Sequence, residues 1–170
     1  TYNVEGYLQI AGTNYDGHFA QGALNLPIVD EKLAVRLAGQ YQKRSGYTEN
    51  LGNGNDQDDL DSKSARLSVL FQPTEAFKNL TVVDYHKTDT ASSGAILDHA
   101  SPVPIAANTF ARFDILAAEQ SVRGPRRVDI NTPNSLEASE LFGVSNRTDI
   151  ELEHVTITNI LAYRTTEMHI

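Results

Sequence analysis

The chain has 170 residues, with 22 acidic against 14 basic side chains and a formal net charge of −8. Such a surface argues against a general nucleic-acid binder, which needs cations to displace phosphate counterions. There is no Cys, which excludes disulfide frameworks, thiolate zinc sites and thiol catalysis. No run of about 18 apolar residues occurs, which excludes a transmembrane helix but leaves a transmembrane strand open. The chain opens Thr1-Tyr2-Asn3-Val4 without Met or a secretion signal, so a fragment whose targeting signal lies upstream is expected.

In chain order, Tyr7 to Tyr15 alternates loosely, and Gly22 to Ile28 places Leu24, Leu26 and Ile28 on one face. Val29-Asp30-Glu31-Lys32 reads as a tight turn. The clearest period-two signal follows: Leu33, Val35, Leu37, Gly39 and Tyr41 oppose Ala34, Arg36, Ala38, Gln40 and Gln42. A strand sends these sets to opposite faces. After a polar insertion from Ser45 to Lys63, Ala65, Leu67, Val69 and Phe71 oppose Ser64, Arg66, Ser68 and Gln72. Pro73 to Phe77 is a second tight turn. Leu80 to Lys87 carries Val83 and Tyr85 against Val82, Asp84 and His86.

A second long insertion runs from Thr88 to Asn146. Within it one helix is predicted over Asn108 to Gln120, with Phe110, Phe113 and Leu116 or Ala117 inward. A shorter helix is predicted over Leu136 to Phe142, capped by Asn134-Ser135 and closed by Gly143. Thr148 to Leu152 puts Ile150 and Leu152 against Asp149 and Glu151. Glu153-His154 turns the chain, and Val155, Ile157, Leu161 and Tyr163 then oppose Thr156, Thr158, Ala162 and Arg164. The total is about seven strands joined as antiparallel hairpins. Short turns alternate with long insertions, as in outer-membrane barrels, and apolar faces begin or end at Tyr or Phe as an interfacial girdle does.

Few residues suggest chemistry. The run Asn55, Asp56, Asp58, Asp59 and Asp61 offers alternate oxygen ligands for Ca²⁺, although no Glu follows at EF-hand spacing and Gly54 is misplaced; a solvated loop is the competing reading. Arg123, Arg126 and Arg127, with Arg112 nearby, are the one basic cluster and candidates for capturing an anionic ligand. Asp98-His99 is a candidate metal pair, but no His-Glu-x-x-His motif accompanies it. No Gly-x-Ser-x-Gly elbow occurs, and Gly52-Asn53-Gly54 lacks the third Gly and helix of a nucleotide loop.

Gly6-Tyr7, Gly12-Thr13-Asn14-Tyr15-Asp16 and Gln21-Gly22-Ala23-Leu24-Asn25-Leu26-Pro27 resemble the first barrel hairpin of TonB-dependent outer-membrane receptors. Arg44-Ser45-Gly46-Tyr47-Thr48-Glu49-Asn50 is similar to the Arg-x-Gly-Tyr-x-x-Asn end of the following strand in that family. Phe71-Gln72-Pro73-Thr74 and Thr156 to Arg164 fit a periplasmic turn and a later strand.

The resemblance implies an all-β fold, with up-and-down hairpins forming part of a transmembrane β-barrel and long loops holding short helices. Residues 1–170 would be one segment, roughly the first third of a barrel of about 22 strands. It further implies a non-enzymatic uptake receptor in the bacterial outer membrane. Such a receptor contacts lipid, and it is driven by the TonB complex through a plug outside this chain. Its ligand would be a small molecule or metal chelate: a ferric siderophore, haem, cobalamin or glycan. Arg36 and Arg66 would face the lumen and pair with plug carboxylates.

Two other readings stand beside this one. The first is a soluble or secreted all-β glycan- or ligand-binding module, which would hide its apolar face against a second sheet. The second is a hydrolase using paired carboxylates, with Asp56 and Asp61 or Asp84 and Glu151 as candidates.

Overall fold

A computed structural model describes residues 2–91, 93–106, 109–131 and 136–169. In chain order the strands are β1 (Glu5–Thr13), β2 (Gly17–Val29), β3 (Leu33–Arg44), the short β4 (Glu49–Asn50), β5 (Leu60–Thr74) and β6 (Phe77–Ala91). Then come β7 (Val103–Ala106), β8 (Thr109–Ala111), helix α1 (Phe113–Arg123), β9 (Arg127–Val128), β10 (Leu136–Glu151) and β11 (Thr156–His169). The long strands form one seven-stranded sheet in the order β1-β2-β3-β5-β6-β10-β11, antiparallel throughout. The fold is therefore all-β. The sheet is open, with β1 and β11 each paired on one side only.

The predicted turns at Val29–Lys32, Pro73–Phe77 and Glu153–His154 all lie at one end of the sheet. The segment 45–59 and the described residues between 93 and 131 lie at the other, with the short Asn14-Tyr15-Asp16 turn. Both insertions are shorter than the sequence implies, because β5 starts at Leu60 and β6 continues to Ala91.

The helix expected over Leu136 to Phe142 is a correction, since that stretch is the first half of β10. Its Asn134-Ser135 cap lies outside the described residues. The local signal was a plausible helix, but every residue from Leu136 to Ile150 has a partner on β6, and from Ala138 onward also on β11. Ladders on both sides outweigh a few tenths of a kcal/mol per residue of helix propensity. The helix expected over Asn108 to Gln120 is present but displaced, as Phe113–Arg123. Ala117 and Gln120 are its buried residues, whereas Phe113 and Leu116, expected inward, are exposed.

Directly paired residues share a face, so the register sorts the whole sheet. One row reads Leu24, Leu37, Leu67, Val83, Val144 and Tyr163. The adjacent row on the other face reads Tyr7, Ala23, Ala38, Arg66, Asp84, Gly143 and Arg164. The alternation read from sequence thus separates an apolar from a polar face.

Burial follows the opposite of the soluble pattern. The polar face is the more sheltered one over β2, β3 and β5, where Ala34 is 3% exposed and Asn25 4%, with Ala23 and Ser62 also buried, while β11 is open on both faces. On the apolar face Leu37 is 50% exposed, and Leu24, Phe71, Leu161 and Tyr163 are open as well. No large side chain among the described residues is fully buried.

Candidate functional site

Two regions gather side chains: the loop end of the sheet and the middle of the polar face. At the loop end, segments 45–59 and 126–131 clasp each other. Strands β4 and β9 pair in parallel, Glu49 with Arg127 and Asn50 with Val128. The Asn50 side chain acts as a surrogate peptide. Its Oδ1 accepts from the Ile130 N–H at 3.0 Å, and its Nδ2 donates to the Ile130 carbonyl at 3.1 Å. Gly52 passes so close that an added Cβ would lie 2.5 Å from the Ile130 oxygen. That close approach is what Gly52 is there for.

The Arg-x-Gly-Tyr-x-x-Asn stretch therefore builds loops. Arg44 donates to the Asp58 carbonyl at 2.8 Å and lies 4.9 Å from the Tyr47 ring centre. Thr48 and Gln57 exchange both backbone hydrogen bonds and are almost wholly buried. Tyr15 packs against Tyr47 with ring centres 6.2 Å apart. Its backbone is left-handed, at φ 60°, and its carbonyl accepts from the Ser45 N–H at 2.9 Å.

The basic cluster sits here without forming one anion pocket. Arg112 is engaged by Asp114 through two hydrogen bonds, at 3.0 and 2.9 Å. This pair holds the Asp114 carboxyl below its ordinary range. Arg123 faces Asp129 at 3.6 Å, and Arg127 binds Glu49 at 2.8 Å. Among the described residues, Arg126 alone of the four meets no carboxylate; it donates to the Tyr15 hydroxyl at 2.9 Å and lies 5.8 Å from the Tyr47 ring centre.

The acidic run is equally dispersed. The Asn55 carbonyl accepts from Gln57, Asp56 from the Asn50 N–H, Asp58 from the Thr48 hydroxyl and Asp59 from the Ala91 N–H. Asp61 faces Lys43 and Lys63 at 3.5 and 3.9 Å. Among the described residues, no three His, Asp or Glu side chains converge as a metal site, and that includes His99.

On the polar face, Gln21 donates to Gln9 at 2.8 Å, and the Ser64 hydroxyl lies 2.8 Å from His86 Nδ1. A cavity of about 400 Å³ opens beside them, lined by Tyr7, Gln21, Gln40, Arg66, Asp84 and His86 among others. Arg164 crosses over β10 to bind Asp84 at 3.2 and 3.3 Å. The residue beneath that bridge is Gly143, where a Cβ would meet both partners at 3.1 to 3.2 Å. Gly143, expected to close a helix, instead leaves room for an ion pair that spans two strands. Sequence reasoning missed this, because the pairing depends on register between segments far apart in the chain.

It also missed a polar knot on the apolar face. Asn79 and Asn146 form a reciprocal amide pair, each Nδ2 3.0 Å from the other's Oδ1. Asn79 also donates to Thr148 at 2.6 Å, and Asn146 to Thr81 at 2.8 Å. All four amide N–H groups are thereby used. The signal for it was two Asn residues at apolar-parity positions of their strands.

No family model matches the chain, and neither a curated protein nor a solved structure is found to be similar to it.

Proposed function

We propose that the chain is a stretch of barrel wall from an outer-membrane receptor of the TonB-dependent kind. It would serve the uptake of a scarce solute such as a ferric siderophore, haem, cobalamin or glycan and carry out no catalysis. The observation that supports this best is the bare apolar face of a sheet whose polar face is the more sheltered one over β2, β3 and β5. A soluble sandwich would cover that face with a second sheet, whereas a bilayer accepts it bare.

The slope of the interface adds support. At the loop end of the apolar face, Tyr41 on β3 stands level with Lys63, Lys87, Glu140 and Glu167. Tyr85 and Phe142 stand one row lower on that face, and Tyr163 two rows lower. The aromatic line thus descends about one residue per strand from β3 to β11. With about 3.3 Å per residue and 4.8 Å between strands, that slope is roughly 35°. Strands of membrane barrels tilt by about 35–45°, and an oblique girdle is what such tilt requires.

Loops at one end and tight turns at the other fit the same picture, with the clasped loops as the outward, ligand-facing surface. TonB coupling and the plug enter from the resemblance of Gly22–Asn50 to that family.

The native chain has no Cys, so single cysteines report on environment directly. In the intact receptor in cells, cysteine at Leu37, Leu67 or Leu161 should resist a water-soluble maleimide, whereas cysteine at Gln40, Ser68 or Ala162 should react. Equal labelling of both sets removes the membrane-wall reading. Uptake itself is checked by deleting the gene and following the four solute classes in energised and de-energised cells; unchanged accumulation of all four removes the transport reading.

A further inference from the structure

Arg66 is paired by register with Asp84, its direct neighbour across β5 and β6 on the polar face. That arrangement ordinarily gives an ion pair. Asp84 instead turns to Arg164, three strands away from Arg66, over the gap left by Gly143. Arg66 forms no ion pair or hydrogen bond with a described residue, and neither does Arg36 on the neighbouring row. Three arginines thus face a single aspartate in the middle of this face, in a chain whose net charge is −8. Of the three, Arg66 lines the cavity of about 400 Å³, with the Arg164-bound Asp84 also in its wall, and Gln21, Gln40 and Tyr7 there supply further donors. A guanidinium fork flanked by neutral donors suits an oxyanion, and the volume suits a small molecule.

We propose that this cavity is a binding site for a small oxyanion, a carboxylate or phosphate, held by Arg66, and that Arg164 keeps the site open by occupying Asp84. Arg164 is a positioning residue here. Removing it frees Asp84 to close on Arg66 and fill the site from within. The inference needs only the sheet and its polar face, so it stands or falls separately from the membrane placement of the other face.

The test is titration of the full-length protein with inorganic phosphate and with citrate, followed by arginine side-chain NMR. Both probes should shift the Arg66 resonance saturably, and R66Q should lower affinity about tenfold or more. R164Q should also lower affinity, although the lost charge lies three strands from Arg66. D84N should raise affinity, a gain that misfolding cannot mimic. The double variant D84N/R164Q should recover binding to at least the wild-type level, because Arg66 then has no internal competitor. Three results overturn the proposal: no shift at Arg66 with either probe, unchanged affinity in R164Q, or a double variant as weak as R164Q. An Arg66 resonance already locked by a carboxylate elsewhere in the full-length protein, and indifferent to both probes, overturns it too.

Discussion

The Asn79–Asn146 knot gives the sharpest test of what the apolar face touches. Asn79→Ala removes both bonds of the amide pair, together with those to Thr148 and from Thr81. Asn146 keeps Thr81 and Thr148 as partners, and the threonine hydroxyls can rotate to new acceptors. One Asn146 N–H is then left without a partner. Facing lipid, that orphan costs about 1–3 kcal/mol. Facing water, a solvent molecule replaces the bond and the change stays within about 0.5 kcal/mol, as for ordinary surface substitutions. The sign of non-additivity discriminates further. Asn79→Leu with Asn146→Leu removes both polar groups and should cost less than Asn79→Ala alone in a bilayer, because no orphan remains. The assay is equilibrium urea unfolding of the full-length protein in phospholipid vesicles, single and double variants side by side. A single variant within about 0.5 kcal/mol of wild type, together with a double variant that is worse, refutes lipid contact at this patch.

Further predictions concern the face, the clasp and the helix start. Leu37→Arg should destabilise the membrane-inserted protein by about 2–4 kcal/mol, while Gln40→Arg on the polar face changes little; equal costs in the same vesicle assay would reverse the face assignment. Asn50→Ala leaves the Ile130 N–H and carbonyl without their partner and should loosen the clasp by about 1–3 kcal/mol. It would be read as faster proteolysis within 45–59 and 92–131, and an unchanged cleavage pattern would count against the clasp. Gly52→Val should act in the same direction, because its Cβ meets a backbone oxygen that cannot swing aside. The Asp114 pKa is depressed, first by its hydrogen bonds to Arg112. Its contribution is therefore fully present above the ordinary value of 3.8 and is lost as pH falls through the lower folded value. An NMR titration of the Asp114 carboxyl should show the depressed midpoint, and Arg112→Gln should return it toward the ordinary value.

The clasp also changes how the basic cluster is understood. Three of its four arginines are held by carboxylates, Arg112 and Arg123 within their own loop and Arg127 by Glu49 across the clasp. Deleting residues 123–127 would therefore remove the β9 pairing as well as three cations. Loss of ligand capture in such a deletion would report on loop architecture and charge together. Arg126→Gln is the cleaner variant, since Arg126 is the member without a carboxylate partner among the described residues.

What the sequence determined by itself is the alternation. Side chains leave a strand on opposite faces with period two, so Leu33 to Gln42 assigns its own faces whatever it pairs with, and the tight turns follow from short polar breaks between such runs. Helix against strand at Leu136 to Phe142 was not decided locally. The segment carries a reasonable helical pattern, and only the flanking ladders of β6 and β11 make it a strand. The same holds for the candidate site. Arg66, Asp84, Gly143 and Arg164 lie on four strands, and no local signal shows that Asp84 is taken by the farther arginine. Likewise Asn50 meets Ile130 across 80 residues of chain. Local geometry fixes which face a side chain occupies; which neighbour it meets there depends on register, and register exists only once the strands have paired.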